Sequence, residues 1–418
     1  MKQLLKEKKN IFLLLWPLGI AMYLAARSST QLAENIFACG IFKGYSAVMS
    51  RFSGLLPFSL AEVLVIAVPV LTLVLIVASL AGIIRHAGER LLRTLRLIRN
   101  LMLLTGIIFF WFMLGAGTNY YRYEFSHYLG YSVSESTTQE LYTLCKHLVA
   151  CVNEARAAAD EEYARKAAQG SVPVVEDDGT LQATEDDETV LAAENDGTVQ
   201  ATEDDEVTGI GMGTYISYMT MDERKAAAVE AMQKLSEKYE VLEGYYPEPK
   251  SVILSKYMSE FNITGVYFPW TVEANVNTDI PVYWLGETMC HELSHLRGFM
   301  REDEANFIGY LACVNSGEPE LVYSGYMEAV INAMNRLYAD SPELWRELAA
   351  GYSEGVIADM VANSEYWDQY EDTVASEVGE KVNDAYLKAN NQIDGTKSYG
   401  RMVDLLLAEM RYNGGFDE

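Results

Sequence analysis

Apolar residues crowd the first quarter of the chain in three runs. IFLLLWPLGIAMYLAA lies between Lys9 and Arg27, VLVIAVPVLTLVLIVASLAGII runs from Val63 to Ile84, and LMLLTGIIFFWFMLGAG begins at Leu101. A helix that crosses a bilayer needs about 20 such residues, so the pattern predicts three transmembrane helices within 1–117. The basic start and the small residues Ala25 and Ala26 also fit a cleaved signal peptide; two further spans favour a signal anchor. Lys2, Lys6, Lys8 and Lys9 precede the first span, and Arg85, Arg90, Arg93, Arg96 and Arg99 lie between the second and third. Cytoplasmic loops carry the excess of Lys and Arg. The expected topology therefore has a cytoplasmic N-terminus and places everything after Gly117 outside the cell membrane.

Beyond the spans the pattern becomes helical. Leu141, Leu144, Leu148 and Val152 recur at three- and four-residue spacing within 134–168, the mark of an amphipathic helix. GTLQATEDDE (179–188) then returns almost unchanged as GTVQATEDDE (197–206). This acidic stretch lacks the glycine and closing glutamate of a calcium loop and reads as a solvated insert. MDERKAAAVEAMQKLSEKY (221–239) predicts a further helix, and the β-prone pieces SVIL and GVYFPW predict a strand-and-turn region over 251–281. Helical patterns follow at 283–298, 302–315, 320–338, 341–350, 374–390 and 398–411. The expected class is an α-rich α+β protein: three N-terminal transmembrane helices, then a mostly helical extracytoplasmic domain with a small sheet. Its parts are a membrane region (1–117), the helical start of the soluble domain (118–168), the acidic insert (169–211) and a main domain (212–418).

Charge sharpens the division. Residues 1–117 hold 12 Lys and Arg against 4 Asp and Glu, whereas 118–418 hold 20 against 55. A domain that acidic excludes nucleic acid as a partner, because phosphates need cationic neighbours. The five cysteines show no CxxC spacing, so neither a disulfide framework nor a cysteine zinc site is expected.

The chemistry is concentrated in ETMCHELSHLRGFMREDEANFIGYLAC (287–313). His291-Glu292-Leu293-Ser294-His295 is an HExxH. On a helix the two histidines share a face and can hold one metal ion, and Glu292 is placed to take a proton from a metal-bound water. Zinc lowers the pKa of such a water towards about 7. Gly298 is suited to end the helix in a left-handed conformation. A catalytic zinc site needs a third protein ligand and an open position. Glu302 is the preferred third ligand and Glu304 the alternative, since they point to opposite faces of the next helix. Asn306, one turn beyond Glu302, is expected to hydrogen-bond a ligand. The surroundings suggest Tyr267, Phe268, Glu273, Asn275 and Asn277 as residues lining the site. Arg297, Tyr310 and Tyr323 are candidates by type for stabilising an oxyanion.

With these residues in view the chain resembles a zincin. More narrowly, it resembles a bacterial family of membrane-anchored proteins known only as a domain of unknown function. The resemblance rests on GTNYYR (117–122), TGVYFPWTVEANVNTDIP (264–281) and CHELSHLRGFMREDEANFIGYLAC (290–313). It implies a zincin-like domain with one zinc ion per chain, His291 and His295 as ligands, Glu292 as general base and a glutamate of the EDEAN run as third ligand. Arg301 stands where metzincins have their third histidine, so the metzincin branch is not implied. The resemblance also implies that Gly265–Thr271 pairs with an extended substrate; an internal core strand fits those residues equally well. The expected function is a membrane-anchored zinc metallohydrolase, a peptidase acting on peptide or protein substrates, with membrane lipid as its other neighbour. The alternative is a non-catalytic metal-binding envelope scaffold or sensor.

Overall fold

The computed structural model describes residues 7–172, 174–175, 181–182, 214–371, 373–390, 392, 395 and 400–416. Apart from two residues, Leu181–Gln182, which pair with Val174–Val175, the acidic repeat lies outside the described residues.

Three stretches of helix are long and apolar enough to cross a membrane: Lys8–Ser28, Leu60–Arg85 and Ala87–Tyr121. They contain α1 (Leu15–Ser28), α3 (Leu60–Arg85) and α4 (Arg90–Phe112), with α2 (Lys43–Gly54) between the first two. The third helix starts a full loop earlier than its apolar run, because the arginines after Glu89 are strong helix formers. α1 and α4 meet through small residues. Gly106 lies under the Trp16 ring and Gly19 under Phe109, where a Cβ would stand 2.7 and 2.8 Å from the ring atoms. Trp16 stacks on Phe109 at 5.2 Å. Small residues at such crossings let helices approach within van der Waals contact, the main attraction available inside a bilayer.

The soluble part is built around one buried helix. α5 (Thr138–Ala168) and α6 (Met221–Lys238) both open with capping boxes, Thr137 with Glu140 and Thr220 with Glu223. β1 (Lys250–Ser251), β2 (Gly265–Phe268) and β3 (Glu273–Val276) form a sheet in the order β1-β3-β2. β1 and β3 are parallel, and β2 runs antiparallel to β3 with Val266 opposite Asn275. Then come α7 (Leu285–His295), α8 (Glu302–Val314), α9 (Pro319–Asp340), α10 (Pro342–Ala349), α11 (Glu354–Asp368), α12 (Val374–Ala389) and α13 (Met402–Tyr412). α7 carries the HExxH, and every one of its residues is buried. It is enclosed by α6, α8, α9 and the sheet, while α5 lies along the outer side of α9.

Two longer helical segments were not legible in the sequence pattern, and a short helix, Ser255–Glu260, also lies inside the expected strand-and-turn region. α11 breaks the apolar period with polar residues. Its Asp359 accepts from Arg156 Nε at 2.7 Å and from the Tyr323 hydroxyl at 2.6 Å, so polar pairing ties it to the core. The other is the loop between the first two spans. Residues Ala33–Phe42 form a π-helix that runs into α2, and both pack onto the soluble domain. Ser46 donates to the Leu296 carbonyl at 2.9 Å, and the Tyr45 hydroxyl donates to the carbonyls of Pro269 and Trp270 at 3.0 Å. Arg122 donates two hydrogen bonds to Glu34, at 2.8 and 3.1 Å, with both side chains buried. A boundary drawn after Gly117 therefore cuts through packed structure.

Candidate metal centre

The C-terminal end of α7 sets the site. Leu296–Arg301 reverses the chain, with Gly298 at φ 86° in the left-handed region that the sequence assigned to it. The reversal lays the first turn of α8 beneath the last turn of α7. Gly309 permits the close approach: a Cβ there would stand 2.5 Å from Glu287 Oε1 and 3.1 Å from the His291 backbone nitrogen.

His291, His295 and Glu302 converge. One ligand atom from each lies within 4.8 Å of the others, and all three residues are buried. His291 Nε2 is 3.2 Å from His295 Nε2 and 3.2 Å from Glu302 Oε2, and His295 Nε2 is 3.7 Å from the same oxygen. His295 Nδ1 stands 2.6 Å from the Phe299 carbonyl, which can only accept. That bond fixes the proton on Nδ1 and leaves the Nε2 lone pair facing the other two donors. Two imidazole nitrogens and one carboxylate oxygen drawn this close form a donor set that could hold a metal ion. Among the described residues no fourth such group joins them.

Glu292 stands beside this triad, 4 % exposed, with Oε2 lacking any hydrogen-bond partner. Burial raises its pKa to about 8, opposed by the charge of His291 and reinforced by Glu302; the Tyr267 backbone N–H bonds its carboxylate. For His291, burial acts downwards, but the Glu302 hydrogen bond and the charges of Glu292, Glu302 and Glu287 raise it to about 10. His295 falls to about 4 through burial and the neighbouring His291, with Glu302 opposing.

The three acidic residues at the start of α8 diverge. Glu302 reaches the histidines. Glu304 turns the other way, accepting from the Phe125 backbone N–H at 2.6 Å and from Arg301 at 2.9 Å. Of the two, Glu302 is the one brought to the histidines, while Glu304 holds the chain after the third span. Asn306 donates to Glu328 at 2.7 Å, and Asn332 donates to the same oxygen at 2.7 Å. The bond seen for Asn306 thus goes to Glu328, not to a ligand. Glu287 is buried and Glu328 half-buried near His291, and each carboxyl is held above its ordinary range chiefly by desolvation.

Of the residues expected to line the site, Tyr267 does so, its ring 5.7 Å from that of His295. Gly265 lies directly over Glu292, where a Cβ would stand 2.6 Å from Oε1. β2 is an edge strand, as a substrate-pairing strand requires. The others serve elsewhere. Phe268 packs on Trp270 at 4.8 Å. Glu273 accepts from the Leu60 and Ala61 N–H groups at 3.0 and 2.8 Å, which caps α3. Asn275 accepts from the Ser59 hydroxyl at 2.6 Å, and Asn277 donates to Ser259 and the Ile263 carbonyl. Glu273 and Asn275 thus satisfy polar groups at the start of α3, and Asn277 satisfies groups in the segment before β2.

The proposed oxyanion stabilisers are also engaged elsewhere. Arg297 donates to the Tyr245 carbonyl and to Ser46, Tyr323 donates to Asp359, and Tyr310 lies against Phe307 and Tyr326. Two other residues lie near Glu302. Gln392 accepts from the Glu302 N–H at 3.2 Å, and its buried Nε2 has no partner. The Tyr386 hydroxyl, 3.0 Å from that of Tyr120, lies within electrostatic reach of Glu302. Neither was legible, because both come from the C-terminal region and meet the site only through the fold.

An HExxH helix wholly enclosed by other elements, with a carboxylate from the next helix completing the donor set, defines a candidate metal centre in a membrane-associated helical protein. The family described as "Protein of unknown function (DUF3810)" matches residues 37–407, and the chain belongs to it. Neither a curated protein nor a solved structure matches.

Proposed function

We propose that the protein is a zinc-dependent hydrolase of the zincin kind that cleaves peptide bonds outside the cell membrane. The observation that carries this reading is the convergence of His291, His295 and Glu302 with Glu292 beside them. A structural zinc site uses four protein ligands, whereas a catalytic one keeps an open position. In this reading zinc, held by the three residues, supplies a Lewis acid that acidifies a water and polarises a carbonyl. Glu292 accepts the proton of the attacking water and passes it to the leaving amine. Its burial supports that work, since a proton acceptor is most effective when its pKa lies near the working pH. The Phe299 carbonyl holds His295 in the donor tautomer. β2 presents its edge for an extended peptide, and Gly265 leaves room above Glu292. Gln392 Nε2 and the Tyr386 hydroxyl, both on residues that neighbour Glu302, are our candidates for stabilising a developing oxyanion. The charge pattern of the spans supports a position of this domain outside the membrane.

The test uses the full chain in detergent with zinc supplied, incubated with a complex peptide library and read by mass spectrometry for new termini. The expected result is cleavage by the wild type and a loss of about 10²–10⁴-fold in Glu292→Gln at unchanged metal content. A wild type that binds zinc and yields no more new termini than Glu292→Gln would overturn the hydrolase reading.

A further inference from the structure

α12 divides into three faces. At about 3.6 residues per turn, Val374, Val378, Val382 and Tyr386 share one side and are 81, 46, 63 and 40 % exposed. A second side packs inward. Ser376 accepts from Asn262 at 2.6 Å, Leu387 is buried, and Gly379 lies so close to the Phe261 carbonyl that a Cβ would stand 2.5 Å away. The third side is ionic, with Lys381 bonded to Glu377 and Lys388 to Asp384. A helix that only bounded a soluble domain would need two faces, one for the core and one for water. The extra apolar face needs another neighbour.

That face does not stand alone. The segment packed against it exposes Ile253, Leu254, Tyr257, Phe261, Ile263 and Val266. Both ends of the combined surface meet the spans. At one end Glu62, in the first turn of α3, accepts from the backbone N–H groups of Ile253 and Leu254 at 3.3 and 2.8 Å. The exposed apolar Val63 and Ile66 of that helix follow directly. At the other end Tyr386 meets Phe112, the last residue of α4, edge-on at 6.3 Å. Trp270, which lies against Phe112 at 6.1 Å, donates its indole N–H to the Ile108 carbonyl inside the third span. The surface thus runs from the point where one span begins to the point where another ends. Its tyrosines and tryptophan are the side chains that collect at membrane–water boundaries.

We propose that this surface is seated in the lipid leaflet into which α3 and α4 insert, so that the soluble domain is partly sunk in the bilayer surface. Amphipathic helices of this kind lie in the plane of the interface with the apolar side buried about 5–10 Å. The seating brings Tyr386 and the adjoining side of the metal centre to the level of the headgroups.

The test is spin-label accessibility on the full chain, reconstituted at one chain per lipid nanodisc. Cys39 and Cys151, which are not buried, are first changed to serine; the other three cysteines are buried. Single nitroxides replace Val378, Val382 or Tyr257 on the apolar surface, Val70 within the second span, and Glu380 or Lys381 on the ionic side. All are exposed positions, so the labels do not disturb the core. The expected result is that Val378, Val382 and Tyr257 labels collide with oxygen and are shielded from a water-soluble nickel chelate, as at Val70. Power-saturation depths of about 5–10 Å below the headgroups are expected for the apolar-face labels, with the ionic-side labels open to the chelate. Chelate access at Val378 and Val382 equal to that at Lys381 would overturn the proposal. So would shielding that arises only when two chains share a disc, which would assign the surface to a second copy. The readout needs neither metal nor activity, so its failure leaves the hydrolase reading untouched.

Discussion

At the residue scale, the divergence of Glu302 and Glu304 explains why a run of three acidic residues yields one candidate ligand. Successive helix positions turn by about 100°, so only one of the two can face α7. Glu304→Gln is expected to keep the metal and lose about 1–3 kcal/mol of stability, because the Phe125 N–H and Arg301 lose a charged acceptor. Thermal denaturation with metal analysis of the same sample checks both halves; loss of metal with unchanged stability would reverse the assignment. His291, Glu292 and His295 were legible in the sequence because they sit within five consecutive residues whose helical geometry is local. Glu302 was preferred on the same kind of argument. Gln392, Tyr386 and Glu328 were not legible, since each reaches the centre through tertiary packing that leaves no mark on its neighbours in the chain. Glu273 and Asn275 were misread for the converse reason: polar residues near a motif suggest a binding site, but here they satisfy the start of a membrane span.

At the scale of elements, the site depends on how α7 and α8 are joined. Gly298→Ala must hold an L side chain at φ 86°, which costs roughly 1–2 kcal/mol. The new methyl would also press on Arg122 and Phe42 at 3.0 and 3.1 Å. A lowered melting temperature with weaker zinc affinity in a chelator competition is the expected outcome; an unchanged affinity would mean that the turn does not set the ligand geometry. α13 offers a pH test away from the metal. Burial raises the Glu409 carboxyl from its ordinary 4.5 to about 7, with Lys238 opposing. The folded state therefore holds a proton that the unfolded chain releases between those values, and stability contributed by this group is full below about 4.5 and lost as pH rises through about 7. Glu409→Gln should flatten the fall in stability across that window, measured as melting temperature against pH for both proteins. Equal slopes would show that the group does not titrate there. Helices with steady apolar periods, such as α5 and α9, were legible; α11 and the π-helix before α2 were not, because their burial relies on ion pairs and on contacts with distant segments.

At the scale of the whole molecule, the three spans were legible from length and hydropathy alone, while the joint between membrane and soluble parts was not. Glu34 and Arg122, Tyr45 and Trp270, Glu273 and the start of α3 all cross it. A 118–418 fragment would leave Arg122 without Glu34, and breaking a buried pair costs about 3–5 kcal/mol. Such a fragment is expected to melt well below the full chain and to exchange the amides of α7 faster; equal protection would show that the soluble part folds independently of the loop. The account's central claim is the metal centre itself, and the most direct measurement is the zinc content of the purified full chain beside His291→Ala, Glu302→Ala, Glu304→Gln and Glu292→Gln. The account predicts one zinc per chain in the wild type, Glu304→Gln and Glu292→Gln, and none in His291→Ala or Glu302→Ala. A folded wild type that takes up no metal when zinc is supplied, or zinc retained in both alanine variants, would contradict it.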